Sequence, residues 1–276
     1  MVSLKQMIKD AERAAAEAER TGKAALNPVI APQHAAWITR PEADQAFTSA
    51  AIERGNDILY GRHQMKRSER FSASGLGQCE RRQVFHFLGL PQAPLTPQTA
   101  DIMRSGTAAH YWIMLEGLSA GWLLEAEVFY KNDDYRMGGT LDGIINDASI
   151  WEYKSTSMNI YRDVTTDPDT VFSVGDRQLG PKYEHLLQLQ AYELLTGMEL
   201  KSLFYQHRDY GSCQEFRLGP NEVITTKLVS LLERLNAHLD DNTLPPMLEP
   251  CTTGHGQTYK DCPFRNSCSA ATRPYA

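Results

Sequence analysis

The stretch Gly138-Gly139-Thr140-Leu141-Asp142-Gly143-Ile144-Ile145-Asn146-Asp147-Ala148-Ser149-Ile150-Trp151-Glu152-Tyr153-Lys154-Ser155 decides how this chain is read. Two runs rich in β-branched and aromatic residues flank a polar turn, Asn146-Asp147-Ala148, which is the pattern of a β-hairpin. A three-residue loop makes Ile145 face Ser149 and sets Asp142 opposite Glu152. Side chains alternate along a strand, so Glu152 and Lys154 share one face, and Asp142 joins them there. Two carboxylates and an ammonium thus converge on what the flanking residues make a core sheet. Burying such groups is costly unless they are paired or hold a metal. A salt-bridge cluster on a solvated hairpin would present the same three charges.

The whole chain bounds what that hairpin serves. With 276 residues it forms one large domain or two small ones and buries a substantial core. An apolar share of 42% with 22% charged residues is that of an ordinary globular protein. No apolar run approaches the ~20 residues of a membrane span, and the N-terminus is polar, without a signal-peptide core. The expectation is a soluble, cytoplasmic protein with no membrane partner. The formal charge of −6 means that any nucleic acid must be held by a local basic groove rather than by global attraction. Five cysteines is an odd number, and their clustering in a cytosolic chain points to metal binding more than to disulfides.

Outward from the hairpin, periodicity assigns the other elements. Trp122 to Lys131 and Tyr135 to Ile145 read as successive strands joined at Asn132-Asp133-Asp134, and Ile150 to Ser155 completes a meander. Leu200 to His207 and Gln214 to Leu218 read as two further strands around Asp209-Tyr210-Gly211. Gln98 to Leu118 reads as a helix with Gly106 and His110 on one face. Gly106 costs that helix roughly 1 kcal/mol, which suggests close packing there. Pro181 opens a helix ending at Gly197, with His185, Gln188 and Tyr192 along one stripe. Pro220 to Leu239 reads as a helix turning Val223, Leu228, Leu231, Leu232 and Leu235 inward. Phe71 to Leu90 is expected to be helical, with an unusual start. Before it come a helix over 4–21, a proline loop (Pro28, Pro32, Pro41) and a second helix from Thr39 towards Tyr60. Arg62, His63, Lys66, Arg67 and Arg70 then form a basic cluster, which is either a solvated face or a nucleic-acid contact. Asp163 to Gly180 and the tail from Pro245 read as loops.

The ordered set Gly106-x3-His110, Gly139-x2-Asp142, Glu152-x-Lys154 and Gln188-x3-Tyr192 falls on helix, hairpin and helix. In this order it resembles the RecB-like branch of the PD-(D/E)XK nuclease superfamily. Leu141-Asp142 stands where the superfamily usually has Pro-Asp; Pro168-Asp169 lies after Glu152-x-Lys154 and so cannot take that place. Ser72-x-Ser74-x-Leu76-x2-Cys79-x-Arg81 before these motifs, and Cys251-x10-Cys262-x5-Cys268 after them, are similar to the iron–sulfur exonucleases. That group includes the CRISPR-associated RecB-like exonucleases and the AddB nuclease domain. The family usually carries Cys-x2-Cys in the trio, where this chain has a ten-residue gap between Cys251 and Cys262.

The resemblance implies an α/β fold with a restriction-endonuclease-like core, a mixed central sheet flanked by helices. It spans about Phe71 to Cys268, so residues 1–70 are expected as a helical N-terminal extension and 71–276 as the nuclease domain. It implies metal-dependent hydrolysis of DNA, as an exonuclease preferring single strands or ends. Asp142, Glu152, the Tyr153 carbonyl and His110 would hold Mn²⁺ or Mg²⁺; Lys154 would orient the attacking water. Gln188 and Tyr192 would contact the DNA backbone or that water, and Arg62, Lys66, Arg67 and Arg70 would bind DNA. Cys79, Cys251, Cys262 and Cys268 would hold a [4Fe–4S] cluster as a clasp joining the two ends of the core. Zinc is the alternative, with His255 able to replace Cys251. Partners implied are DNA and a helicase, recombinase or CRISPR adaptation complex, since the settings include CRISPR adaptation, recombination and phage DNA metabolism. The competing class is a catalytically inactive scaffold that keeps the fold to bind DNA or protein.

Overall fold

The computed structural model describes residues 28–40, 46–62, 69–165, 180–209, 211–253 and 262–268. The expected helix over 4–21, the residues Lys66, Arg67 and His255, and Pro168-Asp169 lie outside them. Helices α1 (Ile30–Ile38) and α2 (Ser49–Arg62) come first. Strand β1 (Phe71–Ser72), helices α3 (Glu80–Phe87) and α4 (Pro97–Ala120), and strands β2 (Leu123–Asn132), β3 (Met137–Ile145) and β4 (Ile150–Thr156) follow. Helices α5 (Met158–Thr165) and α6 (Tyr183–Thr196) lead to strands β5 (Lys201–His207) and β6 (Cys213–Leu218). Helices α7 (Glu222–Asp240), α8 (Glu249–Thr253) and α9 (Arg265–Cys268) end the described chain. No helix among these residues is long and apolar enough to cross a membrane.

The expected hairpin forms with the expected register. Gly143 faces Trp151, Ile144 faces Ile150, and the Ile145 N–H donates to Ser149 O at 3.0 Å. Ala148 closes the three-residue loop at φ 61°, the left-handed position such loops require. Beyond these two pairs β3 and β4 part. The sheet runs β1-β3-β4-β5-β6, with β2 antiparallel along the far edge of β3. The near edge of β3 is shared: β1 pairs parallel with Met137 and Gly138, and β4 pairs with Gly143 and Ile144. On this near edge residues 139–142, between the two, face no strand, and this fork positions the site. Strands β4 and β5 are parallel, so the chain must cross over, and it does so through α5 and α6.

Both faces of the sheet are covered, which is why β4 and β5 are buried almost throughout. On one face Ile144, Ile150, Leu203 and Phe216 pack with Leu186, Leu187 and Leu189 of α6 and Leu228, Leu232 and Leu235 of α7. Each such leucine contributes roughly 1.5–3 kcal/mol of burial free energy. On the other, Ile145, Trp151, Tyr153 and Phe204 pack with Ile113 and Met114 of α4 and Ile30 of α1. Helix α4 has a full set of end signals: the Thr96 hydroxyl accepts from Thr99 N–H at 3.1 Å, Pro97 opens the first turn, and Gly121 ends it at φ 77°.

Several expected elements differ. The proline loop contains α1, where Pro32 sits in the first turn and forfeits no helical hydrogen bond. Its N-terminus is capped from a distance, as the buried Glu215 carboxylate accepts the N–H groups of Val29, Ile30 and Ala31 at 3.1, 2.8 and 2.8 Å. Thr39 ends that helix instead of starting one. Phe71 begins a strand rather than a helix, because its N–H is taken by Arg136 O at 2.8 Å in the β1–β3 ladder. Val223 faces solvent at 64% exposure, because its neighbour Ile224 takes the core-facing place in the first turn of α7. Asp163 and the two residues after it belong to α5, and the described residues of the tail include the short helices α8 and α9.

Candidate active site

At the fork a cavity of about 450 Å³ opens, lined by His110, Asp142, Glu152, Tyr153, Lys154, Gln188 and Tyr192 among others. Strand alternation delivers the hairpin trio to it. Once β3 and β4 part, the Tyr153 N–H loses a ladder partner, and the Asp142 carboxylate takes it instead at 2.8 Å. Glu152 is 1% exposed, with Oε1 paired to the Lys154 ammonium and Oε2 without a hydrogen-bond partner. Burial, and then the neighbouring Asp142 charge, push the Glu152 carboxyl up to about 8. Lys154 is pulled down by burial, but the Glu152 and Asp142 carboxylates outweigh this and raise it, so it stays charged.

Helix α6 supports Lys154 through a directed chain. Lys154 Nζ donates to Gln188 Oε1 at 3.0 Å, Gln188 Nε2 donates to Tyr192 Oη at 2.8 Å, and Tyr192 O–H donates to Thr140 O at 2.8 Å. That last carbonyl lies in the part of β3 whose near edge is unpaired. The i, i+4 spacing of Gln188 and Tyr192 therefore satisfies the open edge of one strand and fixes a lysine on the next. Gly139 is required for this approach: a Cβ there would meet Tyr192 Cε1 and Ala73 Cβ at 2.8 Å. His185, one turn earlier, does not reach the cavity; its Nδ1 accepts from the Tyr205 hydroxyl at 2.6 Å. Burial, with the Lys154 and Lys182 charges, holds it down to about 2, so it is neutral.

From the opposite face α4 brings His110. Its ring stacks on Tyr153, 5.7 Å between centroids and 13° between planes, and Nε2 lies 3.7 Å from Asp142 Oδ1. Gly106, expected to mark close packing, has nothing within 4 Å of where a Cβ would stand and lines the cavity instead. Ser72 and Ser74, bonded to each other at 3.0 Å, line the other side.

One carboxylate escaped the sequence reading. Glu127 Oε1 lies 3.3 Å from His110 Nδ1. Ligand atoms of His110, Glu127 and Asp142 all fall within 4.8 Å of one another. Ala126 faces Gly143 and Val128 faces Leu141, so Glu127 is level with Asp142 across the β2–β3 ladder. Its backbone is left-handed, φ 54°, inside a strand. The register of the β2–β3 turn would have found this residue; its backbone conformation has no sequence signal.

The predicted cysteines lie apart from this cavity. Cys79 is the residue before α3, Cys251 lies in α8, and Cys262 and Cys268 bracket α9. Their thiols are close enough to act on one another: burial raises Cys251 and Cys268, and the other thiols of the set raise them further. Arg81 donates to Pro245 O at 3.0 Å and Cys268 O at 3.1 Å, and Phe264 is buried against Phe85 at 5.5 Å. Cys213 begins β6 and is separate. Of the predicted DNA-binding residues, Arg70 is ion-paired with Asp133 at 2.5 Å, and Arg62 contributes the last residue of α2.

No family model matches the chain, and no curated protein does. Among solved structures it is similar to an alkaline exonuclease (LHK-Exo) from Laribacter hongkongensis, at 14% identity and a TM-score of 0.45, covering 67% of this chain and 93% of that one. The same exonuclease in complex with dAMP gives 14% and 0.44, covering 63% and 90%. The protein SSO0001 gives 21% and 0.45, covering 82% and 96%.

Proposed function

We propose that this chain is a divalent-metal-dependent deoxyribonuclease, acting as an exonuclease on single-stranded DNA or DNA ends. The observation that carries the reading is the fork: Asp142, Glu152 and Lys154 meet in one open cavity, with His110 supplied by one helix and Gln188 by another. The donor set fits Mn²⁺ or Mg²⁺, being carboxylates with one imidazole. The buried, unpartnered Glu152 Oε2 and its raised carboxyl also fit, because a cation there would relieve the crowding of negative charge. His110, Asp142, Glu152 and the Tyr153 carbonyl would hold the ion. When bound, it acidifies a water and neutralises charge on the scissile phosphate. Lys154, fixed by Glu152 and Gln188, orients the attacking water and stabilises charge developing on the phosphate. Gln188 and Tyr192 act by holding that ammonium in place. Ile102 and Met103, exposed one turn before Gly106 and Thr107, offer unpaired bases an apolar wall beside the cavity, which supports the single-strand preference.

The four cysteines are proposed to hold a [4Fe–4S] cluster that clasps the end of the chain to α3. Four thiols within one another's field fit four cysteine ligands. Zinc, which four thiolates would also suit in number, is the alternative.

The nuclease reading is tested with end-labelled single-stranded DNA and Mn²⁺, comparing wild type with Lys154→Ala. Loss of about 10²–10³ in rate is expected for removal of a transition-state donor. Equal degradation by the two proteins overturns the assignment.

A further inference from the structure

We propose that Glu127 is a positioning residue for the metal centre: it holds His110 in one orientation and tautomer, with Nδ1–H towards Glu127 and Nε2 turned to the ion. This rests on the reading of the fork as a divalent-metal site. The geometry behind it is independent of the hairpin trio. His110 lies between two carboxylates, Nδ1 3.3 Å from Glu127 Oε1 and Nε2 3.7 Å from Asp142 Oδ1. The Glu127 and His110 side chains are 8% and 11% exposed, so little water competes for either nitrogen. Tyr153 stacks on one face of the ring at 5.7 Å and Trp151 lies tilted beside it at 5.8 Å, contacts that hold the ring plane but do not choose which nitrogen faces the cavity.

The backbone supplies the second observation. A β-strand residue with a side chain pays for the left-handed conformation that Glu127 adopts at φ 54°, since its Cβ crowds the backbone. Residues held so tend to cluster where a side chain must be aimed against the local pleat. Here the departure coincides with the residue level with Asp142, and its carboxylate reaches the far nitrogen of the histidine that, among the described residues, lines the cavity. Ligating histidines commonly donate their other N–H to a carboxylate, which sets the tautomer and strengthens the donor nitrogen.

The test is Mn²⁺ affinity of the full chain, read from the EPR signal of free Mn²⁺ during titration. Glu127→Ala is expected to weaken binding 10–100-fold, the usual effect of losing such a carboxylate. Glu127→Gln, whose amide oxygen still accepts from Nδ1–H, restores part of that loss. Glu127→Gly weakens binding like the alanine but does not lower the melting temperature, because glycine takes φ 54° without penalty. With His110→Ala already present, Glu127→Ala changes nothing further, since its effect passes through the imidazole. Wild-type affinity in the alanine and glycine variants overturns the proposal, as does a loss that adds in full to that of His110→Ala. Absence of Mn²⁺ uptake by the wild type overturns the metal-centre reading together with it; uptake with unaffected Glu127 variants overturns this proposal alone.

Discussion

Burial and two lysine charges keep the His185 imidazole neutral, with its pKa near 2 against 6.5 for an ordinary histidine. The unfolded chain takes up a proton below pH 6.5 that the folded chain cannot, so this site favours folding fully above pH 6.5 and progressively less as the pH falls towards 2. The loss is at most about 1.4 kcal/mol per pH unit. His185→Asn, which keeps an acceptor near the Tyr205 hydroxyl, should flatten that slope. Urea midpoints measured at pH 7, 6 and 5 should converge between variant and wild type as the pH falls; parallel lines would refute it. The stripe of His185, Gln188 and Tyr192 was legible as a polar face of one helix. Its division of labour was not: Tyr205 on β5 captures the histidine, and the open edge of β3 captures the tyrosine.

At the scale of elements, the start of α1 is capped by a single carboxylate from β6. Glu215, itself buried, accepts three N–H groups of the helix start and the Ser202 hydroxyl at 2.7 Å. Glu215→Ala leaves those donors unmatched, at a cost of about 3 kcal/mol. Denaturant midpoint should drop accordingly, and limited proteolysis should cut first within residues 28–40. Unchanged protection of that segment would count against the carboxylate as its anchor. The consequence extends to the site. His34 on α1 is bonded to Glu116 at 2.8 Å and to Gln206 at 3.2 Å, and Gln206 accepts from the Tyr153 hydroxyl at 2.7 Å. Tyr153 carries the ring against which His110 lies. Proline spacing hid this helix from the sequence reading, because its cap comes from a residue 185 positions away.

For the molecule as a whole, Arg81 and Phe264 join the described tail to α3, and the proposed cluster would complete that attachment. Anaerobically purified protein should therefore be brown, with iron and acid-labile sulfide, and oxidative loss of the cluster should lower the melting temperature before it slows cleavage. A colourless, zinc-loaded protein would contradict the cluster; an unchanged melting temperature would contradict the clasp. The sequence by itself determined the hairpin register and the shared face of Asp142, Glu152 and Lys154. Strand alternation and loop length are local properties, and the flanking apolar runs leave one register that buries them. It also determined the existence of β2 to β6 and the long helices, whose caps and breaks are written in Thr96, Pro97, Gly121 and Gly197. Only the tertiary structure decided that β3 and β4 part into a fork, that Gln188 and Tyr192 lock Lys154, and that Glu127 stands behind His110. Each of these depends on which element crosses which. A side chain in place of a ladder bond, or a left-handed residue in a strand, is stable only where neighbours distant in sequence surround it.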